Sequence, residues 1–279
     1  MGIDYEVIVF LFSSLAIGVV GNIAGIGGGV FLMIIFLFAF KINPVIAGGL
    51  SLITILASTI AGSTINKKQG TIDKRLLYTI GIFAGIGAII GSVLSNYITV
   101  QSFSLFFGIV VFMIGVLSYT SFRMEISRNI GKSYTQETFR EYRKKSGNNH
   151  MAQGKGRGTE IVAFVSGMLA GLFGLGIGGI MGTFLTAIRH IHPKIAFSTV
   201  VAAMIETSIL GTLIHFMKFE TASSYYLLAL PLVAGGAIGG LIGAILSGNM
   251  TFSRLRRSQS YIVMFFGILA ISMSLINFV

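Results

Sequence analysis

The sequence has 279 residues, is 54% hydrophobic, and carries charge on only 10% of its residues, with no cysteine. An ordinary soluble domain has about 25% charged residues, so the composition excludes that class, and the lack of cysteine excludes disulfides and thiolate metal sites. The net charge of +11 would suggest nucleic acid binding in a soluble protein, but the basic residues flank long apolar blocks. We therefore interpret them as residues that orient membrane helices and expect no nucleic acid partner.

The first half of the chain predicts a broken apolar segment followed by three membrane helices. The segment 5–40 is interrupted at positions 24–29 by the sequence AGIGGG. The arm after the break spans about 16 Å as a helix, which is too short for a hydrocarbon layer about 30 Å thick. Three longer apolar blocks follow and predict helices at 44–65, 73–95 and 103–122.

A polar segment, 123–158, separates this half from a second one. It carries nine Lys and Arg and predicts a solvated cytoplasmic linker, with a short helix around 135–145. The second half repeats the earlier order of elements. Its broken segment is 160–188, and its predicted helices are 193–216, 224–246 and 260–279.

The two halves align without a gap when one is shifted by 149 residues along the other. The shift brings Gly25 onto Gly174 and Pro44 onto Pro193, within a longer series of matched glycines. Chance agreement among common apolar residues does not explain a matched proline and a matched glycine series. We predict an all-α membrane protein whose domains are a first repeat at 1–122, a basic linker at 123–158 and a second repeat at 159–279.

The broken segments could cross the membrane once, or enter it and return to the same side. Loop charges favour return, because this topology leaves only Lys41 and Lys218 of the 20 Lys and Arg outside. Each half then makes three net crossings, and the second half is inverted relative to the first. Two inverted-topology repeats, each a re-entrant hairpin plus three transmembrane helices, are typical of secondary transporters. We predict a plasma-membrane protein with both termini extracellular and the linker cytoplasmic.

The glycines at the breaks are candidate substrate-binding residues. Glycine permits unusual backbone angles, and irregular backbone at membrane depth occurs where it is buried in protein or lines a wet cavity. A helix that starts at each break would direct free N–H groups to the midplane, which favours an anion. The alternative is that the glycines only permit close helix packing. The candidates are Gly25, Gly27, Gly28, Gly29, Gly174, Gly176, Gly178 and Gly179.

The helices that start at Pro44 and Pro193 are the most polar and are predicted to line the pathway. Some of their hydroxyl groups could instead bond to carbonyls of their own helix. The further substrate-binding candidates on them are Ser51, Asn66, Thr199 and His215.

Glu206 is predicted to lie near the centre of the bilayer. A charged carboxyl group at that depth costs at least about 2.5 kcal/mol on insertion scales, which makes the residue a functional candidate. We expect it to couple proton movement to anion movement. The alternative is a protonated Glu that bonds to a neighbouring carbonyl and supports helix packing.

The doubled motif resembles that of the sulfite exporter (TauE/SafE) family. The sequences GNIAGIGGG and GLFGLGIGG each precede Pro-x-x-Ala at the start of the next helix. The resemblance covers nearly the whole chain outside 123–158, and it implies an exporter of small sulfur-containing anions such as sulfite or organosulfonates. We expect no enzyme, since the sequence shows no nucleophile–base pair and no HExxH-type spacing. Where the family tends to show Gly-Thr-Ser after the helix starts, the chain matches in part, with Gly49-Leu50-Ser51 and Ser198-Thr199-Val200.

We therefore expect alternating access with the anion bound at the breaks near the midplane. No Lys or Arg is predicted in the pathway, so helix ends would supply the positive field. We expect no cofactor and no metal site, contacts with membrane lipid, and a homo-oligomer as an open possibility. Two alternatives stay open: a cation- or metal-coupled carrier that uses Glu206 and His215, and a non-transporting membrane sensor.

Overall fold

The computed structural model describes residues 3–127, 157–217, 223–250 and 252–276, and within these ranges it contains ten α-helices and no strand. The helices are α1 (Ile3–Ala24), α2 (Gly29–Ile34), α3 (Pro44–Lys68), α4 (Lys74–Leu94), α5 (Val100–Ser127), α6 (Arg157–Phe173), α7 (Gly178–Thr183), α8 (Pro193–Phe216), α9 (Ser223–Asn249) and α10 (Phe252–Ile276). The π-helical turns Ile35–Ala39 and Phe184–Ile188 continue α2 and α7. The predicted helix around 135–145 lies outside the described residues.

Six of the described helices are long and apolar enough to cross a membrane, namely α1, α3, α4, α5, α8 and α9. The predicted all-α membrane fold is therefore confirmed. The largest departures from the predicted bounds are in α5, which covers 100–127 instead of 103–122, and in α10, which begins at Phe252 instead of position 260. In both cases the helix continues beyond the apolar block into polar sequence, because polar side chains do not by themselves end a helix.

Each break is a turn after which the chain runs back beside the helix that precedes it. In the first half, the ring of Phe10 packs against those of Phe36 and Phe40, with centroids 5.6 and 4.6 Å apart. The end of the second arm therefore lies beside the start of α1. In the second half, Gly158 near the start of α6 faces the Phe184 side chain near the end of the second arm. Both arms return, as the loop charges predicted, and do not continue across.

The two halves repeat each other's backbone at the same spacing that aligns their sequences. Lys41 and His190 both have positive φ, at 51° and 52°, which non-glycine residues seldom adopt. The π-helical turns coincide as well. The matched glycine pairs are Gly25 with Gly174, at 66° and 65°, and Gly27 with Gly176, at 79° and 76°. One position differs: Gly28 has a φ of 82°, whereas its counterpart Ile177 has a φ of −83°.

Most helix packing joins the two halves to each other. Helix α1 packs on α9, and its counterpart α6 packs on α4, while α5 pairs with α10. The α5–α10 pair runs antiparallel, because Ser274 Oγ donates to the Ser104 carbonyl near one end (2.7 Å) and Ser260 Oγ donates to the Ser118 carbonyl near the other (3.2 Å).

Helices α3 and α8 cross at the centre of the protein and also run antiparallel. Gly48 near the start of α3 lies against the ring of His215 at the end of α8, and Leu52 one turn further along contacts Gly211. Each of these helices begins with a proline whose preceding residue caps it: Asn43 before α3 and His192 before α8. Equivalent helices of the two halves therefore meet head to tail around the breaks.

Candidate anion site

The two glycine breaks contact each other at the centre of the molecule. Gly29 lies against the carbonyl oxygen of Gly174, and Gly178 lies against the carbonyl oxygen of Gly25. Ser51 Oγ on α3 donates a hydrogen bond to the Gly174 carbonyl at 2.7 Å. The structure therefore brings both predicted glycine clusters and Ser51 together, and we call this contact the glycine junction.

Side chains fill the space around the glycine junction. A Cβ placed on Gly27 would lie 2.7 Å from the Met204 sulfur, and one on Gly28 would lie 2.7 Å from the Ile17 side chain. Most of the break glycines are buried, and Gly176 and Gly179 are half-buried. In this conformation packed side chains occupy the space that a ligand at the turn amides would need.

A small polar cavity of about 20 Å³ lies beside the first break, between the C-terminal ends of α1, α3 and α9 and the start of α8. That volume holds little more than one water molecule. Its polar lining residues are Asn22, Asn66, Gln69, Thr71, Lys194, Ser198 and Ser247. We call it the Asn66 cavity, since Asn66 is the one predicted site residue in its wall.

Lys194 makes the Asn66 cavity electropositive. Its Nζ donates to the Gly248 carbonyl at 2.9 Å, and the residue is half-buried. The Nδ1 of His192 accepts from the Lys194 backbone N–H at 3.3 Å. Burial, assisted by the charge of Lys194, lowers the pKa of His192 to about 4. His192 is therefore neutral at pH 7, and the local charge comes from Lys194, with a contribution from the N-terminus of α8.

Sequence reasoning missed both Lys194 and Asn22. Lys194 lies in the first turn of the predicted helix 193–216, and the expectation of a pathway without Lys or Arg does not describe the wall of this cavity. Asn22 Nδ2 donates to Ser58 Oγ at 2.6 Å and to the Gly18 carbonyl at 3.2 Å, while Gly62 leaves room for its Oδ1. An amide near the end of a mostly apolar segment was the available signal for Asn22.

Thr199 and His215 make their hydrogen bonds outside the glycine junction. Thr199 Oγ1 accepts a hydrogen bond from the Asp73 backbone N–H at 2.9 Å, which ties the turn after α3 to α8. His215, in the last turn of α8, has its Nε2 3.0 Å from the Gly171 carbonyl and its ring against Gly48. The Nδ1 of His215 has no hydrogen-bond partner among the described residues.

Glu206 packs at the contact between α8 and α4. Its carboxyl group lies against Gly81, and its buried Oε2 has no hydrogen-bond partner within the described ranges. Ile209 and Leu213, on the same face of α8, are 41% and 57% exposed. Met204, by contrast, faces the glycine junction. Glu206 therefore lies near the lipid-facing side of α8.

The metal-carrier alternative paired Glu206 with His215. Both residues belong to α8, but their side chains contact different helices. The Glu206 side chain packs against α4, and the His215 ring lies between α3 and α6. Across the part of the chain that the structure describes, no three His, Asp or Glu side chains lie close enough to hold a metal ion.

Paired hairpins inside a bundle of membrane-length helices, with a polar cavity beside one break, define a multi-pass membrane transporter. The model of the family "Sulfite exporter TauE/SafE" matches residues 10–275, and the chain belongs to that family. It is also 28% identical over 252 residues to the "Probable membrane transporter protein YunE" of Bacillus subtilis (strain 168), which covers 87% of this chain and 89% of the relative. No solved structure matches the chain. The family is one of transporters, and the protein is not an enzyme.

Proposed function

We propose that the protein exports a small sulfur-containing oxyanion, such as sulfite or an organosulfonate, across the plasma membrane. Family membership supports a sulfite-like substrate. The observation that carries the proposal is the wall of the Asn66 cavity, which Lys194, Asn66 and Ser198 all line. Such donors replace the water around an oxyanion, and those with a charged partner form the stronger hydrogen bonds.

The proposed mechanism is alternating access between two inverted repeats. Antiparallel contacts of α3 with α8 and of α5 with α10 support the inverted arrangement. Interfaces of packed helices have discrete arrangements, so pairs of helices that join the two halves can shift relative to one another without unfolding. In the proposed cycle the Asn66 cavity, which holds little more than one water molecule in this conformation, widens and takes the anion from the cytoplasm. The anion passes to the turn amides and Ser51 once the two breaks move apart.

Phe197 lies between the two proposed binding positions. It lines the Asn66 cavity, and its ring rests against Gly25 and Gly182. A buried phenyl ring offers no hydrogen bond to an anion, so it obstructs the route while it stays in this position. Displacement of the Phe197 ring is therefore part of the proposed step from the cavity to the glycine junction.

Proton coupling through Glu206 is the second part of the proposal. A charged carboxylate at this depth is costly, whereas the protonated acid is tolerated. Glu206→Gln mimics the protonated form, so the variant should still exchange anion across a liposome membrane but lose acceleration by a pH gradient. Wild-type pH-driven flux in this variant would assign Glu206 to helix packing against Gly81.

The anion site is tested by flux measurements on reconstituted protein with sulfite, sulfate, thiosulfate, taurine and acetate. We expect sulfite or an organosulfonate to move fastest. Lys194→Gln removes a charge-assisted hydrogen bond worth about 1.5–3 kcal/mol, so the KM for the transported anion should rise at least about ten-fold. Lys74→Gln is the matched control, since Lys74 is exposed at the start of α4 and does not line the cavity.

Equal effects of Lys194→Gln and Lys74→Gln would indicate general attraction of anions by surface charge and would reject the Asn66 cavity as the site. Absence of flux with all five anions, in protein that melts cooperatively, would reject the proposed substrate class.

A further inference from the structure

A second cavity, of about 420 Å³, lies at the opposite end of α3 from the Asn66 cavity. It is bounded by the turn that follows the first re-entrant arm, the start of α5 and the end of α10. We call it the Lys41 cavity. Pockets for small molecules and cofactors typically enclose about 300–1,000 Å³, so this cavity is large enough for an organic ligand.

The wall of the Lys41 cavity has an apolar part and a polar part. The apolar lining residues are Leu37, Phe38, Ile42 and Val100, and the polar ones are Lys41, Asn43, Gln101, Ser104 and Ser274. Lys41 is the one charged residue among them. A ligand that matches this wall carries a single negative charge and an adjoining apolar portion. A sulfite ion has no apolar portion.

The Lys41 cavity lies where two membrane-length segments begin. Asn43 immediately precedes the apolar segment that starts at Pro44, and Val100 opens the one that continues through α5. Tyr97, three residues before Val100, is 77% exposed, and exposed Tyr is enriched at the boundary between headgroups and hydrocarbon. The cavity therefore opens at the depth where a phospholipid headgroup joins its acyl chains.

The turn holds part of the polar wall in place. The Ile42 N–H donates to the Phe36 carbonyl at 2.9 Å, which fixes the backbone on one side of Lys41. Asn43 Oδ1 accepts from the Val45 N–H at 3.0 Å, so the amide nitrogen of Asn43 remains a donor for a ligand. A side chain fixed as that of Asn43 is loses little conformational entropy on binding.

We propose that the Lys41 cavity binds the headgroup of an anionic phospholipid. The phosphodiester, with its single negative charge, pairs with the Lys41 ammonium and accepts hydrogen bonds from the amides of Asn43 and Gln101. The first methylenes of an acyl chain lie on Phe38 and Val100. This site is separate from the proposed anion route, and it gives the transporter a specific lipid partner.

The test measures lipid binding to the purified full-length protein in detergent. Native mass spectrometry detects the bound lipid, with phosphatidylglycerol in one series and the zwitterionic phosphatidylcholine in the other. Lys41→Gln should weaken phosphatidylglycerol binding about five-fold, since one Lys near a membrane surface is worth about that factor. It should leave phosphatidylcholine binding unchanged. Ser104→Leu, which fills the cavity without changing its charge, should weaken phosphatidylglycerol binding as well.

Lys218→Gln is the matched control, because the loop charges predict that Lys218 is the other basic residue on this side of the membrane. Lys218 lies outside the described residues. An equal loss in Lys218→Gln would reduce the effect to general surface charge and overturn the proposal. Displacement of phosphatidylglycerol by millimolar sulfite or glycerol phosphate would show that the cavity takes free anions, and would also overturn it. Melting curves of each variant separate lost lipid binding from lost folding.

Discussion

Ser51 donates its hydroxyl hydrogen to the carbonyl oxygen of Gly174, 2.7 Å away and 123 residues later in the chain. Both groups are buried, and the bond joins the polar helix of one half to the glycine turn of the other. The glycine junction is therefore held by a specific hydrogen bond as well as by close backbone contact.

Ser51→Ala should destabilise the protein. The substitution leaves a buried carbonyl with one bond fewer, at a cost of about 1 kcal/mol. Thermal unfolding in detergent measures the effect as a lower Tm. Thr64→Ala is the control, because Thr64 is exposed and its Oγ1 bonds only to the Ala61 carbonyl of its own helix. Equal changes in Tm for the two variants would contradict a structural role for the Ser51 bond.

Gly178→Ala should be far more damaging than Gly85→Ala. A Cβ at Gly178 meets the backbone carbonyl of Gly25, which cannot move without shifting the other half. A Cβ at Gly85 meets only the end of the Leu210 side chain, at 2.9 Å, which can change rotamer. Alanine also raises helix propensity by about 1 kcal/mol, so Gly85→Ala should be close to neutral. The yield and Tm of the purified variants decide this, and comparable losses for both would contradict the backbone contact.

His192 should make stability depend on pH below neutrality. Its folded-state pKa of about 4 lies below its ordinary value of 6.5, so the unfolded state binds the proton more readily. Stability is then fully present above pH 6.5 and falls as the pH drops to about 4, by at most about 3 kcal/mol. His192→Asn keeps a capping side chain, as Asn43 does in the first half, and removes the titration.

The measurement for His192→Asn is Tm between pH 7.5 and pH 4. The variant should match the wild type at pH 7.5 and lose less stability on acidification. Parallel curves for the two proteins would show that His192 contributes nothing to acid sensitivity.

Cysteine labelling tests the predicted orientation, because the chain has no cysteine of its own. Tyr97→Cys, at a position that is 77% exposed, should react with an impermeant maleimide applied to intact cells. Ser146→Cys, in the basic linker, should react only after the membrane is opened. Labelling of Ser146→Cys from outside would reverse the predicted topology.

The order of helices and the position of both breaks were predictable because glycine and proline act locally on the backbone. The repeated turn around Lys41 and His190 follows the same spacing. The alternation of the loop charges also predicted that each arm returns, since orientation depends on charges near the helix ends.

The Asn66 cavity was not predictable in the same way. Its wall combines α1, α3, α8 and α9, and the nearness of Asn22 to Lys194 depends on packing between segments far apart in sequence. The expected depth of Glu206 rests on its distance along α8 and stays a prediction, whereas the direction of its side chain could not be predicted from the sequence. Only the packing shows that it faces Gly81 while Met204 faces the junction.

The packing of α1 on α9 bears on how the protein is made. The groove around Gly18 is filled by Gly236 and Gly239, which are synthesised only after most of the second half. We therefore expect the first helix to lie in the lipid without its main partner during translation, and α4 likewise until α6 is inserted. Each half buries most of its helix surfaces against the other, so we expect the two halves to fold as one unit. A nascent chain halted at the linker would leave this groove open, as a substrate for membrane chaperones and proteases.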